Sequence, residues 1–251
     1  MRIRQLAATA IAASLATASA AAVADNLRGV EFTEEFPLEA CSALATHTGP
    51  GAGGGAQNRY FPLQINRVLM LSNAACVAAG DCDELEEVRI TILNETELVD
   101  GVTTRVLEER EWVDDELVEV SRNFYVECVG TEDVYYFGED VVDGDGMPLG
   151  GAWRVGEGEA QPGIIFPGGA FLLGARYFQE VAPDVALDRA EHKAMGRVFD
   201  ANGFYFENCV EVEDTNALED PLGKNGDLKV YCPGIGLVMD EELELVNIVY
   251  P

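Results

Sequence analysis

From residue 86 onward apolar and polar positions alternate with a period of two. Val88, Ile90, Ile92 and Leu98 fall on one face, and Arg89, Thr91, Glu95 and Glu97 on the other. Side chains of a strand point alternately to its two faces, so this is a strand with one buried and one wet side. Val99-Asp100-Gly101-Val102 then predicts a hairpin, because Asp-Gly readily takes the positive φ of a tight turn. A return strand over residues 102–113 and a turn at Asp114-Asp115 follow. In the next strand Val118, Val120, Phe124, Val126 and Cys128 share a face opposite Glu119, Ser121 and Glu127. Three such strands in a row read as a half-buried antiparallel sheet.

The pattern changes between Asp133 and Glu180. Residues 134–137 are apolar on both faces, as in a strand covered from both sides, and an acid-and-glycine turn follows. The stretch ends in an apolar run over residues 164–178, broken by Pro167 and three glycines. It is expected to cross the open side of a curved sheet. Further strands are predicted over residues 65–71, 175–181, 191–199, 204–213, 228–232, 236–240 and 243–249. Asp200-Ala201-Asn202-Gly203 is a second hairpin signal, and Pro233-Gly234-Ile235 a tight reversal. No helical periodicity extends beyond two turns, and the alanine-rich piece 73–80 suits a single helical turn. The predicted class is all-β: a curved antiparallel sheet shaped as a half-barrel, barrel or sandwich, occupying residues 60–251.

Arg2 and Arg4 precede an alanine-rich apolar run from Leu6 to Ala22, and no acid occurs before Asp25. With Ala22-Val23-Ala24 as a small-residue cleavage site, residues 1–24 are expected to be a secretory signal peptide, placing the chain in the periplasm or outside the cell. No later segment is apolar and long enough to span a bilayer as a helix. Residues 25–59 are expected to form an irregular acidic arm ending in the Gly-rich loop TGPGAGGGA (48–56), which lacks the Gly-Lys-Ser/Thr of a phosphate-binding loop. The net charge of −29 at pH 7 repels phosphates and makes nucleic acid an unsuitable partner.

Six cysteines in an exported chain predict up to three disulfides. Cys76 and Cys82 flank a short loop, and Cys209 and Cys232 sit in neighbouring predicted strands, leaving Cys41 with Cys128 by elimination. No CxxC spacing supports a zinc site.

Candidate chemistry is sparse. Asp140, Asp143 and Asp145 in GEDVVDGDG offer oxygens to a hard cation such as calcium. Aligning Gly146 with the EF-hand glycine puts Val141 and Ala152 where the first and last acidic ligands belong, so that motif fails and an irregular calcium loop remains. His47 and His192 are the two histidines, and Asp188 and Glu191 give His192 carboxylates to orient it for ester hydrolysis. Trp153, Tyr135, Tyr136 and Tyr177 suit a sugar-stacking platform for a carbohydrate-active enzyme, although no pair among 45 acids can be selected. The apolar run reads as core closure or as a lid over an apolar ligand. Tyr136, Trp153, Ile165, Phe166, Phe171 and Leu172 are the candidate ligand contacts, and Leu172 and Leu173 are expected to face inward with the rest.

The strings YFPL (60–63), DVYYFGED (133–140), QPGIIFP (161–167) and YCPGIGLV (231–238) resemble a group of exported bacterial β-rich proteins of unknown function. The resemblance implies export and a β-rich fold, and implies no activity. The general plan is also similar to the half-barrel lipid carriers of the bacterial envelope. The leading expectation is a non-enzymatic exported protein that binds an apolar small molecule or lipid. An acidic calcium-binding surface protein and a carbohydrate- or ester-active hydrolase are the alternatives.

Overall fold

The computed structural model describes residues 32, 38, 41, 43–46, 57–221 and 226–251, and residues 32–251 form one compact unit. The expected signal peptide, His47, the Gly-rich loop and most of the acidic arm lie outside the described residues. The described residues hold fourteen strands: β1 (Leu44–Ala45), β2 (Val68–Ser72), β3 (Glu86–Val99), β4 (Val102–Val113), β5 (Glu116–Cys128), β6 (Val134–Val142), β7 (Trp153–Arg154), β8 (Gly163–Phe166), β9 (Arg176–Phe178), β10 (Asp188–Ala201), β11 (Phe204–Asn216), β12 (Asp227–Cys232), β13 (Gly236–Asp240) and β14 (Leu243–Val249). One short helix, α1 (Ala74–Ala79), follows β2. No helix among the described residues is long and apolar enough to cross a membrane.

The strands form one antiparallel sheet in the order β7-β6-β5-β4-β3-β2-β14-β13-β12-β11-β10-β9, with β1 added to β5 and β8 to β6. Two meanders therefore grow outward from a central seam, where β2 near the start of the sheet pairs β14 at the end of the chain. Local turn chemistry builds each meander. Asp100 and Gly101 have φ of 46° and 77°, and Asn202 and Gly203 have 53° and 83°, the double positive φ of a tight hairpin turn.

The sheet curls. Tyr125 on β5 and Tyr231 on β12 stand six ladders apart, roughly 29 Å on a flat sheet at about 4.8 Å per ladder. Yet the Phe61 ring lies 5.2 Å from Tyr125 and 6.5 Å from Tyr231, so the two wings face each other across it. Register shifts between Ile92 and Thr96, Asn123 and Tyr125, and Leu245 and Asn247 supply local bends. The sheet stays open: among the described residues its edges meet through the one bridge Gln161↔Val181, without a continuous ladder between β8 and β9. That approach requires glycine, because a Cβ on Gly163 would stand 2.1 Å from the Gln179 carbonyl oxygen.

One face assignment needs correction. Ile90 and Ile92 are buried, but Leu98, expected beside them, is 67 % exposed. The two extra residues of β3 between Ile92 and Thr96 keep the alternation, so Leu98, opposite Thr103, stays on the face of Ile92 and Leu107. At this hairpin end that face is in water, and the opposite face buries Val99 with Thr104 and Val106.

All three disulfides form as expected: Cys76–Cys82, Cys209–Cys232 and Cys41–Cys128. The first clips α1, the second ties β11 to β12, and the third fastens the arm to β5. The arm is thus not irregular throughout, since β1 pairs Leu44 with Cys128. Nor does the ordered body begin at Tyr60. Asn58 is buried and donates to the carbonyls of Glu132, Phe166 and Pro167 at 2.9, 3.3 and 3.2 Å. Its Oδ1 accepts from the Tyr60 and Phe61 amides at 3.0 and 2.9 Å, which fixes Phe61 between the wings.

Candidate functional site

Between the wings lies a pocket of about 140 Å³. A cavity near 150 Å³ holds benzene, whereas sites for drug-sized ligands begin near 300 Å³, so this space suits one small group. One wall comes from Leu69 on β2, Ile90 and Ile92 on β3, and Leu107 and Glu109 on β4. The register sets Ile92 opposite Leu107 and Ile90 opposite Glu109, which puts these four on one face. The other wall is Lys229 and Tyr231 on β12 with Leu237 and Asp240 on β13. Phe61, Pro62 and Ile165 close a third side, and Arg67 and Ile235 complete the lining.

The pocket wall is polar in one patch. Lys229 Nζ lies 3.2 Å from Asp214 and 3.4 Å from Asp240. Burial alone would lower the Lys229 ammonium, but the Asp214 and Asp240 carboxylates outweigh it and hold it well above its ordinary value. Burial, reinforced by Glu111 and opposed by Lys229, pushes Glu109 up to about 8. Asp214 is raised to about 6 by burial, against the pull of Lys229. Further along, burial raises Glu139 to about 7, burial with the nearby Asp188 charge raises Glu180, and burial raises Asp188 against the pull of Lys229.

Arg67 is a different case. Only 4 % of it is exposed, and its guanidinium donates to the carbonyls of Gly234 and Ile235 at 2.5 and 2.7 Å and to the Gln64 side chain. Its Nε is buried without a partner, and the Tyr250 ring lies 5.8 Å away. No carboxylate comes within ion-pair distance among the described residues.

The expected ligand contacts do not gather in one place. Of the six, Ile165 lines the pocket. Phe166 is buried against Tyr231 at 5.0 Å, and Phe171 stacks on His192 at 3.8 Å. Tyr136 is buried and donates its hydroxyl to Asn123, and Trp153 packs edge-on against Tyr136 at 5.2 Å. Leu172 and Leu173 are 64 % and 59 % exposed, against the expectation that they face inward. The tight turn there, with the Ala175 amide bonded to the Leu172 carbonyl, points that carbonyl at His192 and the side chains outward.

The two enzymatic expectations lose their geometry. His192 is buried, its Nδ1 bonded to Leu172 O at 3.0 Å and its Nε2 to the Tyr177 hydroxyl at 3.2 Å. Burial lowers it to about 4, so it is a neutral core histidine with both nitrogens in use. Tyr135, Tyr136, Tyr177 and Trp153 are all buried and present no stacking platform. The calcium loop also disperses: Asp140 bonds Arg154 at 2.6 Å, while Asp143 accepts from the Asp145 and Met147 amides of its own turn. No cluster of metal-binding side chains occurs among the described residues.

Glu109, Lys229 and Arg67 escaped sequence reasoning because each sits in an ordinary alternating strand or turn. One signal for Lys229 was present: it shares its face of β12 with Tyr231, next to Cys232, as in a strand covered on both sides. Comparison with family models, curated protein sequences and solved structures finds no match to this chain.

Proposed function

We propose that this chain is an exported, non-enzymatic binding protein that takes a small apolar molecule, or the apolar end of a larger one, into the pocket between the wings of its sheet. The observation that carries the reading is the pocket itself. Leu69, Ile90, Ile92, Leu107, Ile165 and Leu237 give it apolar walls, with a few convergent polar groups, the usual makeup of a small-molecule site. Three closed disulfides support an oxidising compartment, in keeping with the leader read at residues 1–24. Ligand recognition moves from the apolar run as a whole to Ile165 alone, with Phe61 and the strands supplying the rest.

Calorimetric titration with toluene tests this. Saturable one-to-one binding is expected for the mature protein. Ile165→Trp, which fills the pocket from β8, should abolish it, while Leu172→Asp on the exposed turn should leave it unchanged. No saturable heat, or equal binding by Ile165→Trp, would refute the pocket as the site.

A further inference from the structure

The polar groups of the pocket distinguish ligand head groups, an inference that rests on the binding function proposed above. Four charged side chains line it: Arg67, Glu109, Lys229 and Asp240. Three of them have ways to shed or share charge. Lys229 and Asp240 are paired at 3.4 Å, with Asp214 as the second partner of the ammonium. Glu109 has no hydrogen bond or ion pair among the described residues, and a carboxyl raised to about 8 is largely protonated at neutral pH. Arg67 has neither route. A guanidinium stays protonated throughout the physiological range, and its partners here are the uncharged oxygens of Gly234, Ile235 and Gln64. A buried charge without a counter-ion is costly, and a buried Nε–H without an acceptor adds to that cost.

We propose that the pocket takes a small organic carboxylate, its apolar body against Ile90, Ile92 and Leu107 and its carboxylate against the Arg67 guanidinium. The anion supplies what this corner of the protein lacks, a negative charge and an acceptor for Nε–H. A guanidinium presents a planar fork that matches a carboxylate, and such charge-assisted bonds are stronger than neutral ones. Three carbonyl-type oxygens already fix the Arg67 side chain, so little rotamer freedom remains to be lost on binding. Tyr250, 58 % exposed, lies over the guanidinium one residue beyond the end of β14. The overall charge of −29 opposes anions at a distance, but exposed charges are screened beyond about 8 Å at physiological salt, so the local guanidinium decides the bound state.

The test holds the apolar body constant and changes the head. Benzoate, benzyl alcohol and benzylammonium are titrated into the mature protein by calorimetry at pH 7.5. Benzoate should bind about tenfold or more tighter than benzyl alcohol, as one charge-assisted bond implies, with benzylammonium weakest. In Arg67→Met the advantage of benzoate over benzyl alcohol should vanish. Should Arg67→Met fail to fold for want of its three bonds, the Arg67 Nε–H resonance of the unmutated protein serves, because bound benzoate should shift it far more than benzyl alcohol does, and equal shifts overturn the assignment. Equal binding of the three probes, or preference for the ammonium, overturns the carboxylate assignment and leaves the pocket as an apolar site. Failure of all three probes to bind overturns both this assignment and the binding function beneath it.

Discussion

Asn58 shows how much one polar side chain can organise. Its five hydrogen bonds tie the entry to the ordered body to the Glu132 turn and to the end of β8, and they hold Phe61 between the wings. Asn58→Ala leaves three carbonyls and two amides to find other partners in a buried place. A loss of about 2–4 kcal/mol is expected, since each buried group left unpaired costs about 1–3 kcal/mol and some recover a water. Chemical denaturation of the variant measures it, and a loss under about 1 kcal/mol would mean that Phe61 is held by packing alone. Legibility at this scale follows backbone chemistry. Asp100-Gly101 and Asn202-Gly203 announce their turns because positive φ selects for those residues. Asn58 announces nothing, because its three carbonyl partners lie 74 and more residues away and an asparagine before Arg59 reads as ordinary loop.

Among the elements, the strands were legible and the meaning of their polar faces was not. Alternation says that the two sides of a strand differ, and it says nothing about which side another wing will cover. On β3 the inward side is apolar, with Ile90 and Ile92, and across the ladder on β4 the same side carries Glu109. β6 and β11 likewise bring Glu139 and Asp214 inward, where burial raises both. The apolar run over residues 164–178 divides for a related reason: β8 enters the core, and the turn after it spends its backbone on His192 and leaves Leu172 and Leu173 in water. The crowded acids have a consequence for stability. Glu109, Glu139 and Asp214, at about 8, 7 and 6 in the folded chain, keep protons that the unfolded chain releases near pH 4. The folded state is therefore favoured most below that range and loses this advantage as pH rises through 6 to 8. His192 works in the opposite sense. Its folded value near 4 gives stability that is complete above its ordinary value and lost as pH falls through 4. Three raised acids outweigh one lowered histidine, so melting temperature is expected to fall from about pH 5 to pH 8, and Glu109→Gln should flatten part of that decline. A melting temperature that rises steadily from pH 5 to pH 8 would show that these acids are hydrated and not crowded.

For the whole molecule, the all-β class and the disulfides Cys76–Cys82 and Cys209–Cys232 could be read from the chain because each depends on local patterning or short spacing, and Cys41–Cys128 followed by elimination. A curved sheet was expected and is found, but which strands the curl brings face to face could not be read, since that depends on the β2–β14 seam, whose partners stand at opposite ends of the sheet-forming sequence, and on bulges that leave no sequence mark. The pocket exists only once the curl brings β3 and β4 to face β12 and β13, which is why just one of six expected ligand contacts lines it. The binding account therefore stands or falls on whether a ligand enters between the wings. The most direct measurement is a toluene titration of the mature protein followed through its isoleucine methyl resonances. Saturable shifts are expected at Ile90, Ile92, Ile165 and Ile235, which line the pocket. Shifts that grow without saturation, or four pocket methyls that stay still as toluene is raised to its solubility limit, would contradict it.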